Sequence, residues 1–283
     1  MIVTLREVLS DAQKNKYAVG LFNTVNLEMA RGVLAAAEET NSPVIIGTAE
    51  VLLPFGPMEE LSYFLVPMAQ KARVPVVLHY DHGLTPALVI KAMTLGFSSV
   101  MYDCSTVGYE ENIRRCKEMS AIAKLFGASI EAELGHVGAN ENAAEETARS
   151  FDQSGYTNPR QAKEFAEQTN VDALAVAIGT AHGAYKSKPK LDIGRLKEIA
   201  QAVSIPLVLH GGSGLSDEDF RNCVANGISK VNIFTDINQA AAKAAGAPRA
   251  ADAGMTEIIP DIVERVRQAA MEKMRLFGCT GKG

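Results

Sequence analysis

The sequence is short of positive charge, and this limits the partners it can have. Its 28 lysine and arginine residues stand against 33 aspartate and glutamate residues, which gives a formal net charge of -5. Nucleic-acid binding depends on basic residues that neutralise phosphates, so the composition argues against DNA or RNA as a partner. We expect a small-molecule partner instead.

Long apolar segments are also missing. No run approaches the roughly 20 apolar residues that a membrane span requires, and the N-terminus turns charged at Arg6-Glu7 without the apolar core of a signal peptide. With 47% hydrophobic and 22% charged residues, the chain otherwise has the composition of an ordinary globular protein. These features predict a cytoplasmic protein with no membrane partner.

Cysteine is scarce and its spacing is uninformative for metal binding. The four cysteines are far apart and include no CxxC pair. They are Cys104, Cys116, Cys223 and Cys279. This usage suits reduced thiols better than a disulfide framework or a zinc knuckle.

Eight short apolar runs alternate with longer amphipathic segments along the whole chain. The runs are Tyr17–Asn23, Pro43–Thr48, Val74–His79, Ser98–Asp103, Ala128–Glu133, Ala173–Ile178, Leu207–His210 and Lys230–Ile233. Such alternation is typical of βα units around a parallel sheet, whose strands are apolar throughout when both faces are buried. Eight units in a chain of this length predict an α/β fold, a closed (β/α)₈ TIM barrel.

The ends of the chain complete this architecture. Thr4–Lys14 predicts a helix that covers the bottom of the barrel, and Met255–Phe277 predicts a C-terminal helical extension, so residues 1–283 are expected to form a single domain. An open doubly wound sheet is the alternative, but no Gly-rich dinucleotide fingerprint follows the first strand. One segment, Gly135–Thr157, lacks apolar periodicity and predicts a long loop, either a lid over a site or an exposed insertion.

Four of the five histidines fall at the predicted C-terminal ends of strands, where barrel enzymes carry their chemistry. Three imidazoles from different strands, with a fourth position left open, are typical of catalytic zinc. We therefore predict His82, His182 and His210 as zinc ligands. His79 ends its strand and is expected to pack or to orient a neighbour, whereas His136 in the long loop is expected to be exposed.

Other polar and small residues lie at the same ends. Asp103 and Glu133 could ligate a metal directly or orient the histidines, and the residues leave both readings open. Glycines that would let backbone N–H groups approach an anion follow the sixth and seventh strands. They are Gly183, Gly211, Gly212 and Gly214. Because barrel phosphate sites often form from the loops after strands 7 and 8, a phosphate site is expected here.

Several strings at these strand ends occur in an order shared with one known family. They are Asp81-His82-Gly83, Glu133-Leu134-Gly135, Gly179-Thr180-Ala181-His182-Gly183, His210-Gly211-Gly212-Ser213-Gly214 and Asn232-Ile233. With them, the chain resembles the class II, zinc-dependent ketose-bisphosphate aldolases, and the resemblance spans nearly its whole length. It implies a carbon–carbon lyase that cleaves a ketose (bis)phosphate into dihydroxyacetone phosphate and an aldehyde through a zinc-stabilised enediolate.

The resemblance also implies roles for individual residues. Zinc, one ion per subunit, matches the three predicted histidines, and Asp103 and Glu133 match an alternative or second metal position. Asp81 matches the acid that exchanges a proton with the C4 hydroxyl, and Glu141 matches the glutamate that handles the proton at C3. Substrate or phosphate contacts carry over to Asn23, Gly183, Lys186, Gly211, Ser213, Asn232, Thr235 and Arg249. A monovalent cation near the phosphate and a homodimer or homotetramer are further expectations.

Departures from the family pattern bear on the distal end of the substrate. Phe234 and Ala49 replace residues common in the family, Tyr80 replaces a leucine, and the segment around Arg249 is spaced differently from the one that binds a distal phosphate from a neighbouring subunit. An aldolase for a ketose 1-phosphate, or for a substrate with another distal group, therefore stays open.

Three other functions fit the residues less well. A Schiff-base aldolase needs a lysine at the end of the sixth strand, where Leu174–Gly179 has none. A metal-dependent hydrolase on this fold is expected to have a His-x-His pair in the first strand, where Gly20–Asn23 stands. A degenerate barrel that binds a sugar phosphate without catalysis is the third alternative.

Overall fold

The computed structural model describes residues 1–135, 137, 155–181 and 189–283. Eight parallel strands close into a barrel in chain order, and β1 pairs with β8. The strands are β1 Val19–Asn23, β2 Val44–Ala49, β3 Val76–Gly83, β4 Ser99–Tyr102, β5 Ser129–Leu134, β6 Ala173–Val176, β7 Leu207–Leu209 and β8 Ile228–Ile233. The predicted (β/α)₈ TIM barrel is thereby confirmed.

Helices surround the barrel and follow the strands. They are α1 Leu5–Asn15, α2 Leu27–Glu39, α3 Met58–Lys71, α4 Pro86–Thr94, α5 Tyr109–Leu125, α6 Pro159–Thr169, α7 Ile193–Ala202, α8 Asp217–Ala225, α9 Thr235–Ala245 and α10 Met255–Phe277. A short 3₁₀ turn, Glu50–Leu52, follows β2. Within the described residues, no helix is long and apolar enough to cross a membrane.

The first helix covers the end of the barrel where the strands begin. A capping box formed by Thr4 and Glu7 starts α1, and such a box supplies partners for N–H groups that the first helical turn leaves open. The Arg6 N–H donates to Ser129 Oγ at 3.1 Å, and its guanidinium pairs with Asp172 at 2.6 Å. Because Ser129 begins β5 and Asp172 precedes β6, these bonds fasten α1 to the bottom of the barrel, as the sequence predicts.

The last helix packs on the outside of the barrel against α2, α8 and α9. Gly32 in α2 allows close contact, since a Cβ there would lie 2.7 Å from the carbonyl oxygen of Val263. At the far end of α10, the Phe277 ring packs against Phe220 with 5.3 Å between centroids. The C-terminal extension is therefore an integral part of the outer layer.

The third strand is longer than predicted, and this is the main correction to the sequence-based boundaries. It was expected to end at His79, but it continues to Gly83, because Asp81 still pairs with Ala49 of β2 and Gly83 with Tyr102 of β4. Considered without their neighbours in the sheet, the polar residues 79–82 suggest a loop. Backbone pairing with strands on both sides keeps them in the sheet.

Candidate metal and catalytic site

The end of β3 brings two neighbouring polar side chains to one site. Consecutive strand residues normally point to opposite faces of a sheet. Here the register with β4 shifts between Tyr80 and Gly83, and His82 has a φ of +44°, in the left-handed region. Bulges of this kind re-aim side chains near active sites. Asp81 and His82 consequently both offer ligand atoms to the same metal-binding group.

A carboxylate from the β2 loop stabilises this bulged segment. Glu50 accepts hydrogen bonds from the Leu84 N–H at 2.8 Å, from the Thr85 N–H at 3.1 Å, from the Thr85 hydroxyl at 2.7 Å and from the Tyr80 hydroxyl at 3.0 Å. Burial raises the pKa of Glu50, but the hydrogen bonds from Thr85, Leu84 and Tyr80 outweigh it, and the pKa is lowered. The charged Glu50 therefore fastens the chain on either side of Asp81 and His82.

His82 is oriented by Asp103, at the end of β4. His82 Nδ1 lies 2.8 Å from Asp103 Oδ2, and the other carboxylate oxygen accepts from the Ser105 N–H at 3.0 Å. Burial raises the pKa of Asp103, but the hydrogen bond and charge of His82 hold it well below its usual range. For His82, burial lowers the pKa and the Asp81 carboxylate raises it, with a net increase. Asp103 thus has the geometry of an orienting partner.

His210, which follows β7, is fully buried between two carboxylates of β5. Its Nε2 lies 2.9 Å from Glu131 Oε1 and its Nδ1 lies 3.0 Å from Glu133 Oε2. Burial lowers the pKa of His210, but the hydrogen bonds with Glu131 and Glu133 raise it to about 10. The His82 and His210 rings meet edge to face with 4.5 Å between centroids. Two of the three predicted zinc ligands are therefore adjacent.

Overlapping groups of these side chains could hold a metal ion. Asp81, His82 and His210 form one group, and His82, Asp103 and Glu133 form another, with ligand atoms in each group within 4.8 Å of one another. Imidazole and carboxylate donors in this combination suit zinc. If Asp103 keeps its bond to His82, then His82 would offer Nε2, and Glu131 would likewise leave Nδ1 of His210 as the ligand atom. Asp103 and Glu133 each contact a histidine of the site, so each can orient that histidine or offer an oxygen ligand.

Asp81 is held by amide groups from two other strands. Nδ2 of Asn23, in β1, donates to Asp81 Oδ2 at 2.8 Å. Nδ2 of Asn232, in β8, lies 3.0 Å from Oδ1 and 3.2 Å from Oδ2 of the same carboxylate. Burial raises the pKa of Asp81, but His82 and Lys230 lower it far below its usual range. Asp81 is consequently a charged carboxylate with a fixed orientation.

A second buried layer lies below Asp81. His79 Nδ1 lies 2.7 Å from the Ser99 hydroxyl, and His79 Nε2 lies 3.7 Å from Asp81 Oδ1. Burial, together with the charge of Lys230, lowers the pKa of His79 to about 3, so this imidazole is neutral. Its packing and contacts agree with the orienting role expected for it, although it lies inside β3 and does not end the strand.

Two charged residues of this layer were not predicted as part of the site. Glu131 and Lys230 are completely buried and pair at 2.8 Å. Residues two apart in a strand share a face, so Glu131 lies on the face of Glu133 and Lys230 on the face of Asn232. That spacing is the sequence signal that could have identified both.

The loops after β7 and β8 lie next to each other on the other side of the site. Gly211 has a φ of +65°, and a Cβ there would collide with the backbone of Ala181. The buried Ser213 hydroxyl accepts from the Phe234 N–H at 3.3 Å and so connects the two loops. Thr235 is the first residue of α9. The predicted phosphate contacts Gly211, Ser213 and Thr235 are therefore brought into one region beside two helix N-termini, one of which is capped by Ser216.

Arg249 has partners within its own chain. Its Nη2 pairs with Asp261 Oδ2 at 2.7 Å and donates to the Ala244 carbonyl oxygen at 2.6 Å, and its Nη1 donates to the Ala247 carbonyl oxygen at 2.9 Å. A guanidinium near the last carbonyl groups of a helix stabilises the C-terminal end of that helix. The arginine thus closes the C-terminal end of α9.

Several predicted residues lie outside the described residues. They are His136, Glu141, His182, Gly183 and Lys186. The predicted roles of these five residues stay predictions.

Comparisons with known proteins converge on one family. The sequence profile described as fructose-bisphosphate aldolase class-II matches residues 3–282. The YdjI protein of Escherichia coli (strain K12) is 43% identical over 282 residues, covering 100% of this chain and 99% of its own length. The fructose-bisphosphate aldolase of Thermus caldophilus is 37% identical over 309 aligned positions, covering 100% of both chains.

Solved structures agree with the sequence relatives. The crystal structure of the YdjI aldolase of Escherichia coli K12 superposes with a TM-score of 0.89 at 40% identity, over 100% of this chain and 99% of that one. The fructose-bisphosphate aldolase of Campylobacter jejuni superposes with a TM-score of 0.81 at 23% identity, over 100% of this chain and 97% of that one. The second match supports the fold alone.

Proposed function

The chain belongs to the class II fructose-bisphosphate aldolase family, whose members are carbon–carbon lyases, and we propose that it cleaves a ketose phosphate into dihydroxyacetone phosphate and an aldehyde with the help of zinc. The observation that carries this proposal is the convergence of His82, His210 and the charged carboxylate of Asp81 at the mouth of the barrel.

The donor set fits a divalent metal of the kind that the family uses. Two imidazoles adjoin carboxylates that fix their ring orientation, as is usual for zinc-bound histidines. His82 and His210 would hold the ion together with His182, and Glu133 or Asp103 could add an oxygen ligand. When bound, the ion supplies Lewis-acid polarisation of the ketone oxygen, which favours negative charge next to the carbonyl.

Asp81 has the position and charge of the group that moves the proton in cleavage. Its carboxylate accepts the proton of the substrate's C4 hydroxyl as the C3–C4 bond breaks, and it returns that proton in the synthetic direction. The amides of Asn23 and Asn232 fix its two oxygens, so little reorientation is needed at the moment of transfer. Glu141 is assigned the proton at C3 of the dihydroxyacetone half.

The loops after β7 and β8 are assigned the phosphate of the dihydroxyacetone half. Gly211 and Ser213 belong to the loop after β7. The N-terminus of α9 at Thr235 adds backbone N–H groups and the positive end of a helix dipole. Gly183 and Lys186 are assigned to the same anion, and a monovalent cation is proposed beside it. Asn232 is assigned to Asp81 and not to the phosphate itself, since its amide oxygen already accepts from Lys230 and its amide nitrogen already donates to Asp81.

A substrate without a distal phosphate is the second candidate. The specific observation is that Arg249, the one residue assigned to a distal phosphate, pairs with Asp261 and with carbonyl oxygens of its own chain. An arginine with these partners would have to give them up to reach into a neighbouring subunit. We therefore include ketose 1-phosphates among the proposed substrates.

The assembly is also a proposal. We propose one domain over residues 1–283, one zinc ion per subunit, and a homodimer or homotetramer.

A substrate panel with metal removal tests the proposed function. Fructose 1,6-bisphosphate, tagatose 1,6-bisphosphate, fructose 1-phosphate and unphosphorylated fructose are incubated with the zinc-loaded protein, and released dihydroxyacetone phosphate is measured by enzymatic reduction. We expect release from at least one phosphorylated ketose, loss of it after chelation and recovery with zinc. Activity that survives chelation, or a lysine adduct trapped by borohydride, would contradict the metal-dependent proposal.

A further inference from the structure

A fully buried ammonium group, that of Lys230, contacts the asparagine that holds Asp81. Lys230 in β8 has no exposed surface, and its Nζ lies 2.8 Å from Glu131 Oε2 and 2.7 Å from Asn232 Oδ1. Burying a charge is unfavourable unless partners compensate for the lost hydration. The contacts of Lys230 therefore indicate what this charge does in the barrel.

The contact with Asn232 decides which way the Asn232 amide points. A lysine ammonium has three donors and no acceptor, so the atom that faces Lys230 has to be the amide oxygen. The amide nitrogen then points away from Lys230, and it lies 3.0 Å from Oδ1 and 3.2 Å from Oδ2 of Asp81. With the opposite orientation, the oxygen of Asn232 would face the charged carboxylate. Lys230 thus selects the orientation in which Asn232 holds Asp81.

The contact with Glu131 extends the network to the metal-binding side of the site. Glu131 Oε1 lies 2.9 Å from His210 Nε2, and its second oxygen pairs with Lys230. The ammonium of Lys230 compensates the buried Glu131 carboxylate while Glu131 orients His210. One lysine therefore connects a metal-binding histidine with the proton-transfer carboxylate.

We propose that Lys230 is a positioning residue for the cleavage step, which acts by fixing the Asn232 amide and thereby the Asp81 carboxylate. This inference rests on the proposed function, because it takes Asp81 to exchange the C4-hydroxyl proton. It separates two partial reactions. Cleavage of the ketose needs Asp81, whereas exchange of the C–H proton of dihydroxyacetone phosphate is assigned to Glu141 and should not depend on Lys230.

The decisive variant is the double substitution Lys230→Met/Glu131→Gln. The single variant Lys230→Met would leave Glu131 as an uncompensated buried charge, whereas the double variant removes both charges and roughly keeps both volumes. We expect kcat for cleavage of fructose 1,6-bisphosphate, or of the panel ketose that the wild type cleaves, to fall about 10- to 100-fold. KM, zinc content and proton exchange of dihydroxyacetone phosphate, measured by NMR in deuterated water, should stay close to the values of Glu131→Gln alone.

Two further variants separate the action of Lys230 from other effects. Glu131→Gln alone keeps Lys230 and the orientation of Asn232 but alters the contact that orients His210, so any loss that it causes should reduce cleavage and proton exchange together. Lys91→Met removes a lysine from a surface pair with Glu59, far from the barrel interior, and should leave cleavage unchanged.

Three results would overturn the proposal for Lys230. They are cleavage by the double variant as fast as by Glu131→Gln, a parallel further loss of proton exchange or zinc in the double variant, and a selective loss of cleavage already in Glu131→Gln. Asp81→Asn measured alongside separates this proposal from the proposed function. If Asp81→Asn cleaves normally, the role of Asp81 itself is wrong. If Asp81→Asn is inactive and the double variant is active, only the role of Lys230 is wrong.

Discussion

Asp81 is a buried carboxylate whose neighbours favour its charged form over the neutral acid. Burial alone would raise its pKa, but His82 and Lys230 reverse the direction, and amide groups from β1 and β8 hold both oxygens. A carboxylate held in this way stays charged and keeps a fixed orientation. Asp81 also differs from Asp103 and Glu133 in accepting from two asparagine amides.

Asp81→Asn should lower ketose cleavage by about 10²- to 10⁴-fold, because the amide cannot accept the C4-hydroxyl proton. Zinc content, measured by atomic absorption, should stay near one ion per subunit through the histidine ligands. A matched control is Asp172→Asn, which removes a carboxylate charge at the opposite end of the barrel, where Asp172 pairs with Arg6. A loss of zinc equal to the loss of activity would show that Asp81 acts as a ligand.

Metal binding should release protons from the two described histidines. Without metal, the pKa of His210 is raised to about 10 by the hydrogen bonds of Glu131 and Glu133 working against burial, and the pKa of His82 is also raised. Ligation needs neutral imidazole. Zinc affinity should therefore increase as pH rises from about 7 towards 10, since fewer protons remain to be displaced.

Calorimetric titration of the metal-free protein with zinc checks this expectation. At pH 7, heats measured in buffers of different ionisation enthalpy should reveal about one to two protons released per zinc ion. Heats that do not depend on the buffer would mean that both histidines are already neutral.

At the scale of the elements, the bulged end of β3 depends on a residue from the β2 loop. Glu50 accepts hydrogen bonds from Leu84, Thr85 and Tyr80, and α4 itself begins at Pro86 without a side-chain cap from Thr85. The carboxylate thus holds the segment that leads from β3 into α4. His82, with its left-handed backbone conformation, lies between Tyr80 and Leu84, which both donate to Glu50.

Glu50→Ala should lower the free energy of unfolding by about 1 to 3 kcal/mol, because the N–H groups of Leu84 and Thr85 and the hydroxyl of Tyr80 lose their charged acceptor. Zinc affinity should also fall, because His82 loses the support that fixes its backbone. Urea denaturation and a competitive zinc-chelator titration measure the two effects. Glu59→Ala removes an exposed carboxylate on α3 and should change neither property appreciably. Unchanged zinc affinity in Glu50→Ala would mean that the bulge keeps its shape without Glu50.

On the scale of the whole molecule, the candidate site connects strands that are far apart in the sequence. His82 comes from β3 and His210 follows β7, while the carboxylates that hold them come from β4 and β5. A metal bound between these strands favours the closed barrel over any unfolded form. Ligand binding of this kind is equivalent to added folding stability.

Zinc should therefore raise the thermal unfolding midpoint. At a free zinc concentration of about 100 times the dissociation constant, the added stability is about 2.7 kcal/mol, which corresponds to a rise of roughly 4 to 5 °C for a domain of this size. Scanning calorimetry of zinc-loaded and chelator-treated protein measures the difference. His210→Ala should lose most of the zinc-dependent increase. An increase that persists in His210→Ala would place the ion elsewhere.

The sequence by itself determined the architecture and the location of the chemistry. Each βα unit is encoded locally, by an apolar run, an amphipathic segment and caps such as Thr4-Glu7 and Ser216-Asp219. Eight such units leave few alternatives to a closed barrel. Since functional side chains of a barrel lie where the strands end, the positions of His82 and His210 in the sequence were enough to place them at one rim.

Only the tertiary structure decided which side chains meet. His82 and Asp103 are 21 residues apart, His210 and Glu131 are 79 apart, and Asn232 and Asp81 are 151 apart. Such pairs come within hydrogen-bond distance only when the barrel closes. Lys230 and Glu131 each lie two positions from a predicted site residue, but their pairing could not be recognised before the barrel was known, because lysine and glutamate in a strand usually face solvent and are buried only when paired. Local propensity determines where the strands form, and closure of the sheet determines which of their side chains meet.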